Sequence, residues 1–301
     1  MNISIIIVNY NVKEFIIPCI KSIYKHSKSD LKFEVIVVDN NSKDNSVKEL
    51  KKAFLDIQLI ANKTNVGFSK AVNQGVKVSK GQFIFILNPD TLIQNDCIKI
   101  MHSEALKLER MGLCAPKIFN NKGILERSFW KFPSLINTVF SIFHLDFLNY
   151  YKNYSNKKFN NKTSVESVSG CAIFMKKRVF NELNGFNEKL FWMEDIDLCK
   201  RLIIKGYEIF YLPNAEIIHF KGRSAKKNYK ISISNQLLSK IKYFKIHHTK
   251  FSYIVITLTI AFSSMIKLLI FYFLSLFSLK YRKKSRAYLH TVNMIIKNQM
   301  L

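Results

Sequence analysis

The sequence predicts an α/β fold on a mostly parallel sheet, and three observations predict it. Short apolar runs rich in β-branched residues recur at 4–8, 33–38, 57–61 and 83–87, as in strands covered on both faces. Helical patterns lie between them, which gives the β-α-β-α order of a parallel sheet. Polar residues gather after the strands, at the end where such sheets bind ligands.

Along the chain, S4-I-I-I-V8 is the first strand and runs into Asn9, Tyr10 and Asn11. The second, F33-E-V-I-V-V38, runs into D39-N-N-S-K-D-N-S46. Taken alone, that segment is a turn with Asp44 or Ser46 as the cap of the next helix. After I57-Q-L-I-A61, the positions Phe68, Ala71, Val72, Gly75 and Val76 form the stripe of a helix lying on a sheet. The fourth strand, F83-I-F-I-L87, meets N88-P-D90. Asn-Pro by itself is a turn signal. Beside the other polar strand ends, Pro89 instead fixes a bend that aims Asp90 at a hard cation, which prefers carboxylate oxygen.

The most informative stretch is F191-W-M-E-D-I-D-L-C-K-R-L-I-I-K-G206. Ile196, Cys199, Leu202 and Ile203 recur at helical spacing and Gly206 fits a C-terminal stop, so Glu194, Asp195 and Asp197 stand at a helix mouth. Acids favour that position through the helix dipole alone, and Asp197 has Arg201 one turn on. The alternative is that the fold holds one of them as a base.

With 301 residues and 48% hydrophobic composition, the chain is long and apolar enough for one large domain with an appendage or for two small ones. Cys19, Cys97, Cys114, Cys171 and Cys199 show no C-x-x-C pair, which points to a reducing compartment. The first residues enter a strand pattern directly and show no signal peptide. The formal charge of +26 attracts anions, with nucleic acid, anionic lipid headgroups and a phosphorylated substrate as the contenders. Part of it reflects a Lys-, Asn- and Ile-rich bias, as in N153-Y-S-N-K-K-F-N-N-K162. K221-G-R-S-A-K-K-N-Y-K230 and K280-Y-R-K-K-S-R286 bracket an apolar block, an arrangement suited to a membrane surface.

Six ordered motifs, S4-I-I-I-V-N-Y-N11, V35-I-V-V-D-N-N-S42, N65-V-G-F-S-K-A-V-N-Q-G75, F85-I-L-N-P-D90, M193-E-D-I-D-L-C-K-R201 and I218-H-F-K-G-R-S224, resemble the family 2 glycosyltransferases of GT-A fold, in their rhamnosyltransferase-like branch. The resemblance covers residues 3 to about 224. It implies a nucleoside diphosphate sugar donor, with rhamnose as the candidate sugar, and Asn9, Tyr10, Asp39, Asn41, Asn65, Gly67 and Asn88 on the nucleotide side. Asp90 matches the metal-binding acid of the family's D-x-D, with Asn88 at its first position, and His219 stands where some members place a metal-coordinating histidine; the implied ion is Mg²⁺ or Mn²⁺. Read by itself, His219 is equally a satisfied strand-end histidine. Asp195 matches the general base of an inverting transfer, Glu194 shares the acceptor contact, and Trp192 stacks on the acceptor sugar or packs in the core. The implied acceptor is a lipid-linked saccharide in cell-surface polysaccharide synthesis.

These readings divide the chain into a GT-A domain at 1–225 and a helical, membrane-associated region at 226–301. The block F251–L279 is long enough to span a bilayer, with Lys267 its one charge. Its two basic flanks favour a re-entrant hairpin or in-plane helices on the cytoplasmic face of the cell membrane over a single transmembrane helix. A soluble dimer core is the remaining reading. Two other functions fit parts of the sequence. A nucleic-acid-binding protein would use the charge, yet no zinc-finger spacing or RNP-like string is present, so nucleic acid is not an expected partner. A processive polysaccharide synthase would share the catalytic domain but needs several spans and a Q-x-x-R-W motif.

Overall fold

The computed structural model describes residues 1–27, 31–145, 160–220 and 229–297. The basic run at 221–228 and most of the Asn- and Lys-rich stretch at 153–159 lie outside the described residues. The chain divides into two units: Met1–Phe132, Asn153–Glu188 and Glu194–Ser224 form the first, and Pro133–Lys152, Lys189–Met193 and Ala225–Leu301 the second. The last break falls between Ser224 and Ala225. Segments 133–152 and 189–193, expected in the first domain, group with the C-terminal helices.

The first unit is built on a mixed sheet. Strands β1 (Ile3–Asn9), β2 (Phe33–Asp39), β3 (Gln58–Ala61) and β4 (Phe83–Leu87) alternate with α1 (Lys13–His26), α2 (Ser46–Ala53) and α3 (Phe68–Val78) and are parallel to one another. Then come β5 (Thr91–Ile93), α4 (Cys97–Lys107), β6 (Met111–Phe119), β7 (Leu125–Glu126), β8 (Phe129–Trp130) and α5 (Leu135–Ile142), the last in the second unit. After these follow β9 (Thr163–Ser164), β10 (Ser167–Val168), β11 (Ala172–Lys176), α6 (Lys177–Glu182), α7 (Glu194–Ile204) and β12 (Glu208–His219). The sheet order is β3-β2-β1-β4-β11-β6-β12-β5. Along this order β11 and β5 run against their neighbours, as do the short strands β7 beside β6 and β9 beside β12, so the carboxyl ends of β1, β2, β4 and β12 share an edge with the amino end of β11.

Side-chain alternation sorts the core into two layers. Ile3, Ile5, Ile7, Val35, Val37, Phe83, Phe85 and Phe174 pack towards α1 and α4, and Ile6, Val8, Ile36, Val38, Ile84, Ile86, Ile173 and Met175 pack with residues of α3 and α7. The strand β3 is the exception to the expectation of double-sided burial, since it lies at the sheet edge and is only partly covered. On α7 the buried face is Asp197, Leu198, Cys199 and Leu202, turned from the predicted stripe so that Ile203 reaches solvent. Gly206 stops the helix at φ +82, with Tyr207 N–H donating to the Leu202 carbonyl and Gly206 N–H to that of Ile203.

The second unit contains α5, α8 (Tyr229–His247), α9 (Lys250–Leu274) and α10 (Leu279–Ile296). Thr249 caps α9 by accepting from Ser252 N–H, and Ser278 caps α10 by accepting from Lys280 N–H. The apolar block is therefore one unbroken helix as far as Leu274, and the re-entrant hairpin expected within 251–279 does not form. No Pro or Gly interrupts the block to turn it back. It is the one helix among the described residues long and apolar enough to cross a membrane. Ile256, Ile260, Ser263 and Ser264 bury its inner face, and α8 meets α10 where Ser234 Oγ donates to the Ala287 carbonyl at 2.9 Å.

Candidate functional site

The polar strand ends meet at the shared edge. Asn9, in register with Asp39 on the adjacent strand, is fully buried, and its Nδ2 lies 2.6 Å from Asp39 Oδ1, 2.7 Å from Ser46 Oγ and 3.1 Å from Ser42 Oγ. Ser42 N–H donates to Asp39 Oδ2 at 3.0 Å, so both carboxylate oxygens are held. The side chain of Asn9 thus sits behind Asp39, while Tyr10 is exposed and presents an aromatic face. The N-cap of α2 is Asn45 rather than Asp44 or Ser46, and Asp44 beside it binds both helix starts. Its Oδ2 accepts from Lys13 N–H at 2.8 Å and its Oδ1 from Ser46 N–H at 3.1 Å, which serves the first residues of both α1 and α2.

Asn11 and Asn41 take left-handed backbone, at φ 55 and 64, a conformation that Asn tolerates. Lys43 binds both, its N–H donating to Asn11 Oδ1 and its Nζ to Asn41 Oδ1, each at 2.7 Å. Asn65 Oδ1 accepts from Gly67 N–H at 3.0 Å, and Gly67, at φ +88, opens α3 with nothing within 4 Å of where a Cβ would stand. That open space leaves the backbone approachable. Asn40, Asn62 and Gln74, which the sequence reading did not single out, tie this loop to β2. Asn40 Nδ2 donates to the Gly67 carbonyl, Asn62 Nδ2 to Asn40 Oδ1, and Asn62 pairs with Gln74.

The turn N88-P-D90 is pinned from three sides. Asn88 N–H donates to the Cys171 carbonyl at 2.8 Å, and the Asn88 carbonyl accepts from Thr91 Oγ1 at 2.7 Å and from Cys19 Sγ at 3.7 Å. Burial pushes the Cys19 thiol up to about 12, so it stays a neutral donor. Pairing of β12 with β5 sets His219 opposite Thr91 and brings His219 Nε2 to 3.4 Å from Asp90 Oδ1, both side chains largely buried. Adjacent donors on a six-coordinate ion with bonds of about 2.1 Å stand about 3 Å apart, so the pair fits two positions of one coordination shell. Among the described residues no group of three His, Cys, Asp or Glu forms a complete cage. Oxygen atoms of a bound diphosphate would supply the remaining donors.

Asp195 and Asp197 divide sharply. Asp197 is fully buried and its Oδ2 lies 2.7 Å from Arg201 Nη2, while Arg201 also donates to the carbonyls of Leu183 and Gly185. This acid fastens α7 to the end of α6, and removing one partner of such a buried pair costs about 3–5 kcal/mol. Among the described residues no cation pairs with Asp195. Its Oδ2 accepts from Gly170 N–H at 2.7 Å and its Oδ1 from Ile196 N–H at 2.8 Å. Loss of solvent raises its pKa above the ordinary value, and the two amides pull it back only in part. Gly170 precedes Cys171, whose carbonyl holds Asn88, so the acid is tied to the same edge as Asp90. Glu194 opens the same helix one residue earlier. Trp192 is partly exposed and groups with the helical unit instead, where it and Met193 adopt φ 73 and 76. Within that unit Ser239 Oγ both accepts from Phe191 N–H and donates to the Phe191 carbonyl.

Gly170 escaped the sequence reading, though a lone glycine at the start of the apolar run A172-I-F-M175 signals close backbone approach. A Cβ there would lie 3.1 Å from both Cβ and Oδ2 of Asp195. Gly170→Ala is expected to lower turnover roughly tenfold by displacing the carboxylate while leaving the donor KM unchanged. Its amide favours the ionised acid, so weakening that bond raises the pKa and moves the acid limb of the rate profile to higher pH. An unmoved profile with full activity would remove Gly170 from this role.

The glycosyl transferase family 2 model matches residues 4–183, and a second, the N-terminal domain of galactosyltransferase, matches residues 153–248. An N-acetylglucosaminyl-diphospho-decaprenol L-rhamnosyltransferase of Mycobacterium tuberculosis is 25% identical over 212 residues, 64% of this chain and 68% of that protein. The rhamnosyltransferase WbbL of Escherichia coli is 24% identical over 251 residues, 80% of this chain and 92% of that protein. A crystal structure of GalNAc-T7 with UDP, GalNAc and Mn²⁺ superposes with a TM-score of 0.59 at 13% identity, over 81% of this chain. This chain spans 50% of that longer one, and the likeness shows the GT-A type of fold.

Proposed function

The chain belongs to glycosyl transferase family 2, and on that premise we propose that it is an inverting, metal-dependent enzyme moving a sugar, with rhamnose the first candidate, from a nucleoside diphosphate to a lipid-linked saccharide at an anionic membrane surface. The observation that carries the reading is Asp195, an acid held by two backbone amides and raised in pKa by loss of solvent. Such a group is a base matched to a hydroxyl.

In the proposed reaction Asp195 takes the proton of the acceptor hydroxyl as its oxygen attacks the anomeric carbon. The bond from that carbon to the diphosphate breaks, the electron pair leaves with the diphosphate, and the configuration inverts once. Tyr10 gives the base of the nucleotide a face to stack on, Asp39 an acceptor for an imide N–H, and the loop at Asn65–Gly67 a backbone approach. Asp90 and His219 would hold Mg²⁺ or Mn²⁺ at the diphosphate. A bound divalent ion there neutralises charge on the leaving oxygens. The mycobacterial relative is named for a diphospho-decaprenol-linked sugar, which supports the acceptor class.

The test is a panel of nucleoside diphosphate sugars offered to the full chain with Mn²⁺ and a lipid-linked saccharide extract. Nucleoside diphosphate release should depend on acceptor, and the product anomer should be opposite to that of the donor. A retained anomer, or thermal stabilisation by oligonucleotides and by no nucleotide sugar, would sink the reading.

A further inference from the structure

Helix α9 shows two faces of opposite character. Phe251, Leu258, Phe262, Leu269 and Phe273 recur along one line of the helix, and all are exposed. The line continues through Leu276 and Phe277 at the turn into α10. Ile256, Ile260, Ser263 and Ser264 bury the other side. Lys267, the only charge inside the block, is turned inward, where its Nζ donates to the Ile142 carbonyl at 3.0 Å and lies 5.9 Å from the Tyr288 ring. The outer face is therefore uncharged over its whole length. Where it ends, Lys280, Arg282, Lys283 and Arg286 are all exposed.

A spanning helix would need apolar surroundings on every side. The inner side of α9 is packed instead on α8 and α10, which carry exposed lysines and arginines that hydrocarbon would have to accommodate. A helix with one wet and one apolar side belongs in the interface plane, and the basic turn supplies charge complementary to acidic headgroups. A second copy of the chain is disfavoured as the occupant, since a protein of +26 would bring two basic turns together.

We infer that α9 lies in the plane of an anionic bilayer with the Phe251–Phe277 line immersed, the α9–α10 turn on the headgroups, and no part of the chain crossing. This rests on the membrane-surface reading above and deepens it to an orientation. The full chain, added to preformed vesicles of phosphatidylcholine with or without phosphatidylglycerol, should pellet with the anionic set and at least tenfold less with the neutral one. Leu269→Glu with Phe262→Glu should abolish pelleting at unchanged melting temperature, because both residues are already exposed. The native cysteines are all buried, so Lys250→Cys at the start of α9 and Lys280→Cys in the first turn of α10, just past the other end of α9, report the two sides of the helix to a membrane-impermeant thiol reagent. Both should label from outside. Protection of Lys280→Cys in pelleted protein means a span and overturns the inference, as does a chain that stays in the supernatant or an unaffected double variant. A chain that pellets and labels as expected yet binds no nucleotide sugar would overturn the proposed activity and leave this docking mode standing.

Discussion

Asp195→Asn is expected to lower sugar transfer roughly 10²–10⁴-fold, the contribution of a positioned general base, while thermal stabilisation by the donor stays within about twofold in Kd. The amide keeps the size of the carboxylate but offers one acceptor oxygen to two donating N–H groups, Gly170 and Ile196, and cannot take a proton. The loss should therefore appear in kcat. Wild-type acid-limb behaviour supplies the second readout: the base must be ionised, burial raises its pKa, and the acid limb should lie above the ordinary aspartate value of 3.8. Turnover like wild type in the variant would remove Asp195 from the base role.

Asp90→Ala is the second large effect. A divalent ion at a leaving diphosphate is worth several kcal/mol, on the order of a hundredfold or more in rate. The variant should weaken donor binding chiefly when Mn²⁺ or Mg²⁺ is present and little in chelator, because His219 alone would hold the ion. Chelation of the wild-type protein should have the same effect. Activity indifferent to chelator would return N88-P-D90 to a structural turn, with Asp90 packed beside His219.

The parallel half of the sheet was legible because its strands are near-continuous apolar runs and each ends in a polar cluster. The other half was not. The strand β11 is a short run hidden among loops, and β12 is interrupted at Pro213 and Asn214, where its register against β6 shifts between Leu212 and Glu216. Asn95 closes that irregularity by binding the Asn214 carbonyl and Glu216 N–H, a pairing across more than a hundred residues that no local pattern reveals. In the site, the family resemblance singled out Asp195 and His219, and the converging polar strand ends singled out Asp90. Which of three neighbouring acids is structural was decided by direction: α7 turns Asp197 onto Arg201 and Asp195 onto the Gly170 amide. Backbone donors such as Gly170 carry no side-chain signature, so the sequence could mark only the space they need.

The interlocked loops after β1 and β2 bear on how tightly a donor can be held. Asp44 serves two helices, Asn11 and Lys43 clasp each other, and Asn9 fastens Asp39 and Ser46. These bonds form when the chain folds, so in the proposed site a nucleotide arriving at Tyr10 and Asp39 would find little backbone left to order. Ordering cost subtracts directly from affinity. Nucleotide recognition there would approach rigid docking, and selectivity among bases would rest on fixed shape and fixed hydrogen-bond polarity, with little capacity for the loops to remodel around a misfit.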